Sequence, residues 1–509
     1  MYHIIYKSLK SRGWLFSFWL LLSCNDGFLD TVPLATPSDA TFWTSEQNAV
    51  TWINTAYRYL PSANDFVFDS MSDDCVGSGD LIAQGLHVPT SSIVSTKWSY
   101  IPIRHCLELL QRLDEIPDLS AEGRNRLAGQ ARFILAFKYF EMITLYRDVP
   151  LVDRILPLED SDLPKTEKAV VLEYILNQLD LAIGELPVSW PAGETGRATK
   201  GAALALKARI HLYNDQWQRA ADAAKELIDM DQYALHPNYN EVFLTSFNNA
   251  TREVILAHQY AKDLYTHTLC FSYGYYTIGG TSQSLPLPSL VNSYECSDGL
   301  PVTESPLFDP SDPWENRDPR FKMNFVLPFQ SIGGQVYDPV NNINDKNAAR
   351  TYVYFRKYIA DMASQQRTMW VNWNIFRYAE VLLIYAEAQN ENSGPDNSVY
   401  DALDQIRTRA GMPVVDRQKY NNREKLRAFI RNERRVELAG EGLRYFDMLR
   451  WKIADQVMNG DVLSYTIPGQ LPVKNIHTRT FDPSRHYVWP IPQSAIDNAR
   501  NLVQHPEWE

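Results

Sequence analysis

Glu433 and Glu437 stand one helical turn apart and continue the apolar stripe of Leu426 and Ile430. Two carboxylates at that spacing can work as an acid–base pair or chelate a metal. They can equally serve as buried countercharges, because an unpaired charge inside a protein is costly. Arginines that can pair with them are plentiful, with Arg377, Arg444 and Arg450 the expected partners, so the two carboxylates are read as structural. Gly440 and Gly442 break this helix and start the next, with Trp451 on its far side. Other catalytic patterns are missing: there is no G-x-S-x-G, no H-E-x-x-H and no phosphate-binding glycine loop. Asp338, Asn341, Asn342 and Asn344 offer oxygen ligands without the spacing of a calcium loop, and read as a polar turn. His477 and His486 have basic neighbours and no evident cysteine or serine partner. No catalytic residue, metal or cofactor is assigned.

The elements that must hold such groups are chiefly helical. Leu172, Ile175, Leu176, Leu179, Ile183 and Leu186 share one helix face that ends at Pro187, and Leu127, Ala131, Ile134, Leu135 and Met142 share another. Between residues 200 and 230, Ala208 and Ala220 flank a turn at Asn214-Asp215, followed by Ala224 and Leu227. Small residues so placed let two helices approach closely, in a tetratricopeptide-like pair or an ordinary helical hairpin. Further pairs fit 103–116 with 121–146, 373–392 with 398–411, and 422–440 with 443–458, giving four candidate pairs. Between about residues 236 and 370 Pro, Gly, Asn and aromatic residues dominate, and loops, short strands and small helices are expected over the scaffold. Ordered loops on a rigid support are where binding sites usually sit.

Lys7, Lys10 and Arg12 precede an apolar run over 14–22 that is too short to span a bilayer and ends in Ser23-Cys24. Residues 1–23 therefore read as an export signal. The Leu21-Leu22-Ser23-Cys24 ending resembles a bacterial lipoprotein processing site, which implies a lipidated Cys24, a tether over 24–45 and a body over 46–509. The chain carries a formal net charge of -12. That argues against nucleic acid as a partner. Cys75, Cys106, Cys270 and Cys296 contain no C-x-x-C pair, and which of them form bridges is left open by sequence. With 13 Trp and 28 Tyr the chain can furnish both a core and an exposed stacking surface.

The block Arg431-Asn432-Glu433-Arg434-Arg435-Val436-Glu437-Leu438, through Glu441-Gly442-Leu443-Arg444-Tyr445-Phe446-Asp447 to Trp451, resembles the C-terminal signature of the SusD/RagB family of outer-membrane nutrient-binding lipoproteins. Phe28-Leu29-Asp30, Phe42-Trp43, Tyr146 with Asp148-Val149-Pro150-Leu151, the 377–388 run, Ile406-Arg407 with Arg409-Ala410-Gly411, and Trp489-Pro490-Ile491-Pro492 extend the resemblance along the chain. Arg147 departs from it by replacing a glycine, and Ala499, His505 and Trp508 depart from it in the tail. The resemblance implies a mainly α fold of four tetratricopeptide-like units carrying an irregular ligand-binding region. It also implies an outward-facing, lipid-anchored protein at the outer membrane. Such a protein captures oligosaccharides, or in some branches peptides or glycoproteins, for a TonB-dependent SusC-like transporter.

For a sugar ligand, aromatic faces would meet the C–H surfaces while carboxylates and amides bond the hydroxyls. Trp98, with Asp73 and Asp74 upstream in the same loop, and Tyr273, Tyr275 and Tyr276 are the first candidates. Trp314, Trp370 and Trp373 follow, in or beside polar loops. Trp98 and the 273–276 cluster are expected to share one stacking platform. The competing enzyme reading is a helical glycoside hydrolase that uses Asp73 or Asp74 with a second acid brought close by folding.

Overall fold

The computed structural model describes residues 42–509, apart from 249, 364–366 and 468; Cys24, the 1–23 signal and most of the 24–45 tether lie outside the described residues. Ten helices carry the architecture: α1 (Glu46–Ala56), α2 (Ile101–Arg112), α3 (Ala121–Tyr146), α4 (Lys168–Glu185), α5 (Lys200–Tyr213), α6 (Trp217–Asp229), α7 (Tyr378–Ser393), α8 (Asn397–Ala410), α9 (Arg423–Glu437) and α10 (Arg444–Arg450). Each packs on the next in a continuous row from α2 through α6, and α7 lies against α6, α8 and α9. Side-chain caps begin several of them: Ser120 for α3, Thr199 for α5, Asp396 for α8 and Asn422 for α9. Gly411, in the left-handed conformation, closes α8.

The apolar patterns become the core. Val171, Ile175, Leu179 and Ala182 are the buried stripe of α4, while Ala208, Ala220, Ala224 and Leu227 are fully buried where α5 meets α6. The pairs α2 with α3, α5 with α6, and α7 with α8 form as expected. The fourth differs. α9 packs chiefly on α7, and its expected partner shortens to the seven residues of α10, tied to α9 through Arg434 and Asp447 at 2.8 Å. The chain leaves the helix where Lys452 takes a left-handed φ of 54°, and α10 buries Tyr445, Met448 and Leu449 in the helical centre.

The excursion between α6 and α7 leaves and returns at one place. Strand Val254–His258 pairs antiparallel with Trp373–Arg377, with Val254 opposite Arg377, and the latter strand runs directly into α7. The strands among the described residues form two-stranded ladders only. The loop-rich part builds its own apolar centre from Tyr273, Tyr275, Tyr294, Phe321, Phe325, Tyr337, Tyr354 and Phe355, separate from the centre between the helices.

All four cysteines of the described residues are free and buried. Burial pushes the Cys75, Cys106 and Cys270 thiols upward, away from the reactive thiolate. The folded protein is expected to leave Cys75, Cys106, Cys270 and Cys296 unmodified by a disulfide reagent, and all four should react once denaturant is added. Rapid reaction of any one of them without denaturant would contradict this packing.

Candidate binding site

Glu433 and Glu437 lie in a buried lattice of ions on the seam between the two apolar centres. Glu437 meets Arg409 at 2.5 Å, Arg320 at 2.9 Å and Arg377 at 3.1 Å. Glu433 meets Arg320 at 2.7 Å and Arg407 at 2.9 Å. Arg377 also reaches Glu253 and Glu441, each at 2.6 Å, and Lys357 sits 2.7 Å from Glu441. Burial alone would push the Glu437 carboxyl up, but Arg409, Arg377 and Arg320 outweigh it and hold it at about 2. Of the partners expected from sequence, only Arg377 serves. Arg444 turns to Asp73 and Arg450 to Glu387 and Asp447, and Arg320, Arg407 and Arg409 take their places. Every oxygen of the carboxylate pair is engaged, which makes it a fastening.

Asp73 and Asp74 are fastenings of the same kind, and this corrects their expected role as ligand contacts. Arg444 holds Asp73 at 2.8 Å, and Arg435 holds Asp74 through its Nε at 2.6 Å. Burial raises Asp73, yet Arg435 and Arg444 bring it down to about 2; burial and the adjacent Asp73 leave Asp74 raised. The two carboxylates pin the strand Cys75–Gly77, which pairs with Ser284–Pro286, to α9 and α10. The hydrolase reading thereby loses the open carboxylate it named.

The aromatic candidates divide. Tyr273 and Tyr275 are fully buried: Tyr273 Oη donates to the Gly440 carbonyl at 3.0 Å, and the Tyr275 hydroxyl accepts from Ile332 N. Trp373 is buried against Tyr358, with ring centroids 4.9 Å apart. These three fill the second apolar centre, so they are not the exposed contacts expected from sequence. Trp314 is half-buried against Tyr465 and Phe321. Trp370 is half-buried beneath Lys262 Nζ, which lies 5.4 Å from its ring. Tyr276 alone of its cluster faces solvent, 52% exposed. The polar turn at Asp338 closes on itself, accepting from Val340 N and Asn341 N, while Asn342 caps the short helix Ile343–Ala348.

Trp98 is half-buried against the helical centre, not against the 273–276 cluster, so the expected joint platform does not form. Its ring meets Tyr146 edge-on at 4.9 Å, and the neighbouring Lys97 is fixed by Asp65 at 2.5 Å and Glu141 at 3.1 Å. Tyr100 Oη donates to the Pro150 carbonyl at 2.8 Å, which fastens the start of α2 to the turn after α3. That turn requires a positive φ at Arg147 (62°), the residue that stands where a glycine was expected. Arg147 is braced by Glu507 at 2.6 Å and Asp148 at 2.8 Å.

Beside Trp98 and Tyr100 opens a hollow of about 340 Å³. Arg104 and Arg154 stand at its walls with Ile155, Leu163 and Ser161, and Ala495, Ala499 and Leu502 close it from the C-terminal end. Aromatic and aliphatic walls with two guanidiniums at the edge can accept a ligand that is apolar on one face and rich in hydroxyls at its rim. Sequence reasoning finds Trp98 but misses Tyr100, Arg104 and Arg154. The one available signal was the apolar run Ile155-Leu156-Pro157-Leu158 in a polar setting, of which Ile155 and Leu156 line the hollow.

No helix of the described residues is long and apolar enough to cross a membrane. A family model described as the SusD family matches residues 252–508, and one described as starch-binding associating with outer membrane matches residues 35–212. SusD-like protein P38 of Formosa agariphila is 25% identical over 486 residues, covering 87% of this chain and 91% of the relative. A SusD-like carbohydrate binding protein of Bacteroides fragilis superposes with a TM-score of 0.84 at 28% identity, covering 91% of this chain and 100% of the other. A laminarin-binding SusD-like protein shares the fold, with a TM-score of 0.70 at 22% identity over 91% of this chain and 99% of that one.

Proposed function

The chain belongs to the SusD family, and on that premise we propose that it captures oligosaccharides at the outer face of the outer membrane without cleaving them. In this reading Cys24 carries the lipid anchor, and a TonB-dependent SusC-like transporter receives the cargo. The observation that carries the binding proposal is the hollow beside Trp98 and Tyr100 with Arg104 and Arg154 at its edge. A sugar ring presents C–H faces to the aromatic wall and hydroxyls to the guanidiniums, and the open rim leaves room for the rest of a chain. The absence of cleavage is supported by the engagement of Asp73, Asp74, Glu433 and Glu437 in buried ion pairs.

Calorimetry against a glycan panel tests the proposal. Trp98→Ala and Arg154→Ala are each expected to weaken the bound oligosaccharide about tenfold. Arg154 is largely exposed, with 69% of its side chain open to solvent, so its replacement leaves the fold intact. Wild-type affinity in both variants would remove the hollow from the mechanism. Steady release of new reducing ends on prolonged incubation would overturn the non-catalytic reading.

A further inference from the structure

A second groove, of about 310 Å³, runs along α9 toward the end of α10, on different elements from the Trp98 hollow. Its lining is mainly basic in a chain of net charge -12: Arg427, Arg431, Arg435 and Arg444 border it together with Trp451 and one acid, Glu424. Three of these cations are already neutralised. Arg427 pairs with Glu391 at 2.5 Å, Arg435 with Asp74 at 2.5 Å and Arg444 with Asp73 at 2.8 Å. The nearby Arg450 is held by Glu387 at 2.6 Å.

Arg431 is different. It is half-buried and has no ion-pair partner among the described residues, and its Nε is buried without a hydrogen bond. Its guanidinium lies 4.6 Å from the centroid of the Trp451 ring, and that indole is itself fixed by Nε1–H donation to Glu387 at 2.6 Å. Stacking on an aromatic face orients a guanidinium but leaves its in-plane donors unsatisfied. Glu387 and Glu391 are committed elsewhere, and Glu424, the one acid in the lining, forms no ion pair with Arg431 among the described residues. Asn432 donates its Nδ2 to the Ser293 carbonyl, which leaves its Oδ1 as an acceptor at the groove wall. A partly desolvated, pre-oriented cation beside a hydroxyl acceptor matches a ligand that carries an anionic oxygen group and hydroxyls together.

We infer that this groove is an anion-recognising subsite in which Arg431, braced on Trp451, receives the carboxylate or sulfate ester of an acidic saccharide. The inference deepens the proposed function and rests on the reading that the protein binds saccharides. A groove of this size suits a small-molecule group rather than a protein surface.

The experiment compares three probes by calorimetry: an oligogalacturonate for the carboxylate, a sulfated carrageenan oligosaccharide for the ester, and a neutral laminarin oligosaccharide. At least one charged probe is expected to bind, more weakly as ionic strength rises. Arg431→Gln should cost that probe about tenfold in affinity and flatten its salt dependence, while the laminarin oligosaccharide responds to Trp98→Ala and not to Arg431→Gln. Arg431→Lys, which keeps the charge but loses the planar fork, should recover only part of the affinity; an unchanged melting temperature certifies both variants as folded. If neither charged probe binds, or if Arg431→Gln binds as wild type, the inference is overturned. Failure of the charged probes with retained neutral binding sinks this subsite alone, whereas failure of every saccharide sinks the underlying reading as well.

Discussion

Glu437→Ala is expected to destabilise the protein by roughly 3–5 kcal/mol, the range found when one partner of a buried ion pair is removed. The carboxylate serves Arg409, Arg377 and Arg320 at once, at 2.5, 3.1 and 2.9 Å. Its loss leaves three buried guanidiniums with fewer acceptors. A melting temperature lowered by several degrees is the expected reading. The seam is remote in kind from the Trp98 hollow and shares no lining residue with it, so the folded fraction should bind ligand as wild type does. A fully stable variant that had lost binding would show that this glutamate meets ligand after all.

The second large effect is on acid stability. Glu437 and Asp73 are both held at about 2, well below their ordinary carboxylate values, while Glu433, Glu441 and Asp447 are also lowered. In each, burial opposes ionisation and neighbouring arginines or a lysine override it. A carboxyl lowered in the folded state contributes stability that is complete above its unfolded value and is lost as pH falls toward its folded value. At about 1.4 kcal/mol per unit, Glu437 alone contributes about 3 kcal/mol that disappears between about pH 4.5 and pH 2. Glu295 behaves oppositely. Burial lifts it to about 7, so its contribution is present below its ordinary value and fades as pH rises through neutrality. Melting followed from pH 7 to pH 3 should therefore stay high into mild acidity and fall steeply below about pH 4.5. A melting temperature that held constant down to pH 3 would mean the lattice is hydrated and its charges screened.

How far these features could be foreseen depends on the reach of the pattern. Helices are written locally, and the Ala208, Ala220, Ala224 and Leu227 spacing is sufficient to bring α5 against α6. The Glu433 and Glu437 stripe likewise reveals its burial, since polar residues that continue an apolar seam need partners. The identity of those partners is not local: Arg320 arrives from the loop-rich region and Arg409 from the end of α8. The aromatic residues mislead for a related reason. Tyr273 and Tyr275 stand among glycines in a polar, loop-like stretch, which suggests exposure, yet the excursion is long enough to enclose a centre of its own and spends them there. Trp98 comes to rest half-buried on Tyr146 beside Lys97, which is anchored by acids from two other segments, a placement that periodicity cannot reveal.

The clasp between Asp73, Asp74, Arg435 and Arg444 joins stretches separated by more than three hundred positions, and Gly442 N–H donates to Asp69 beside it. A chain emerging from the ribosome therefore holds its early acids bare until nearly all of it has been made. Closure falls to the last stage of biosynthesis, and the unfinished polypeptide cannot lock prematurely into its final form.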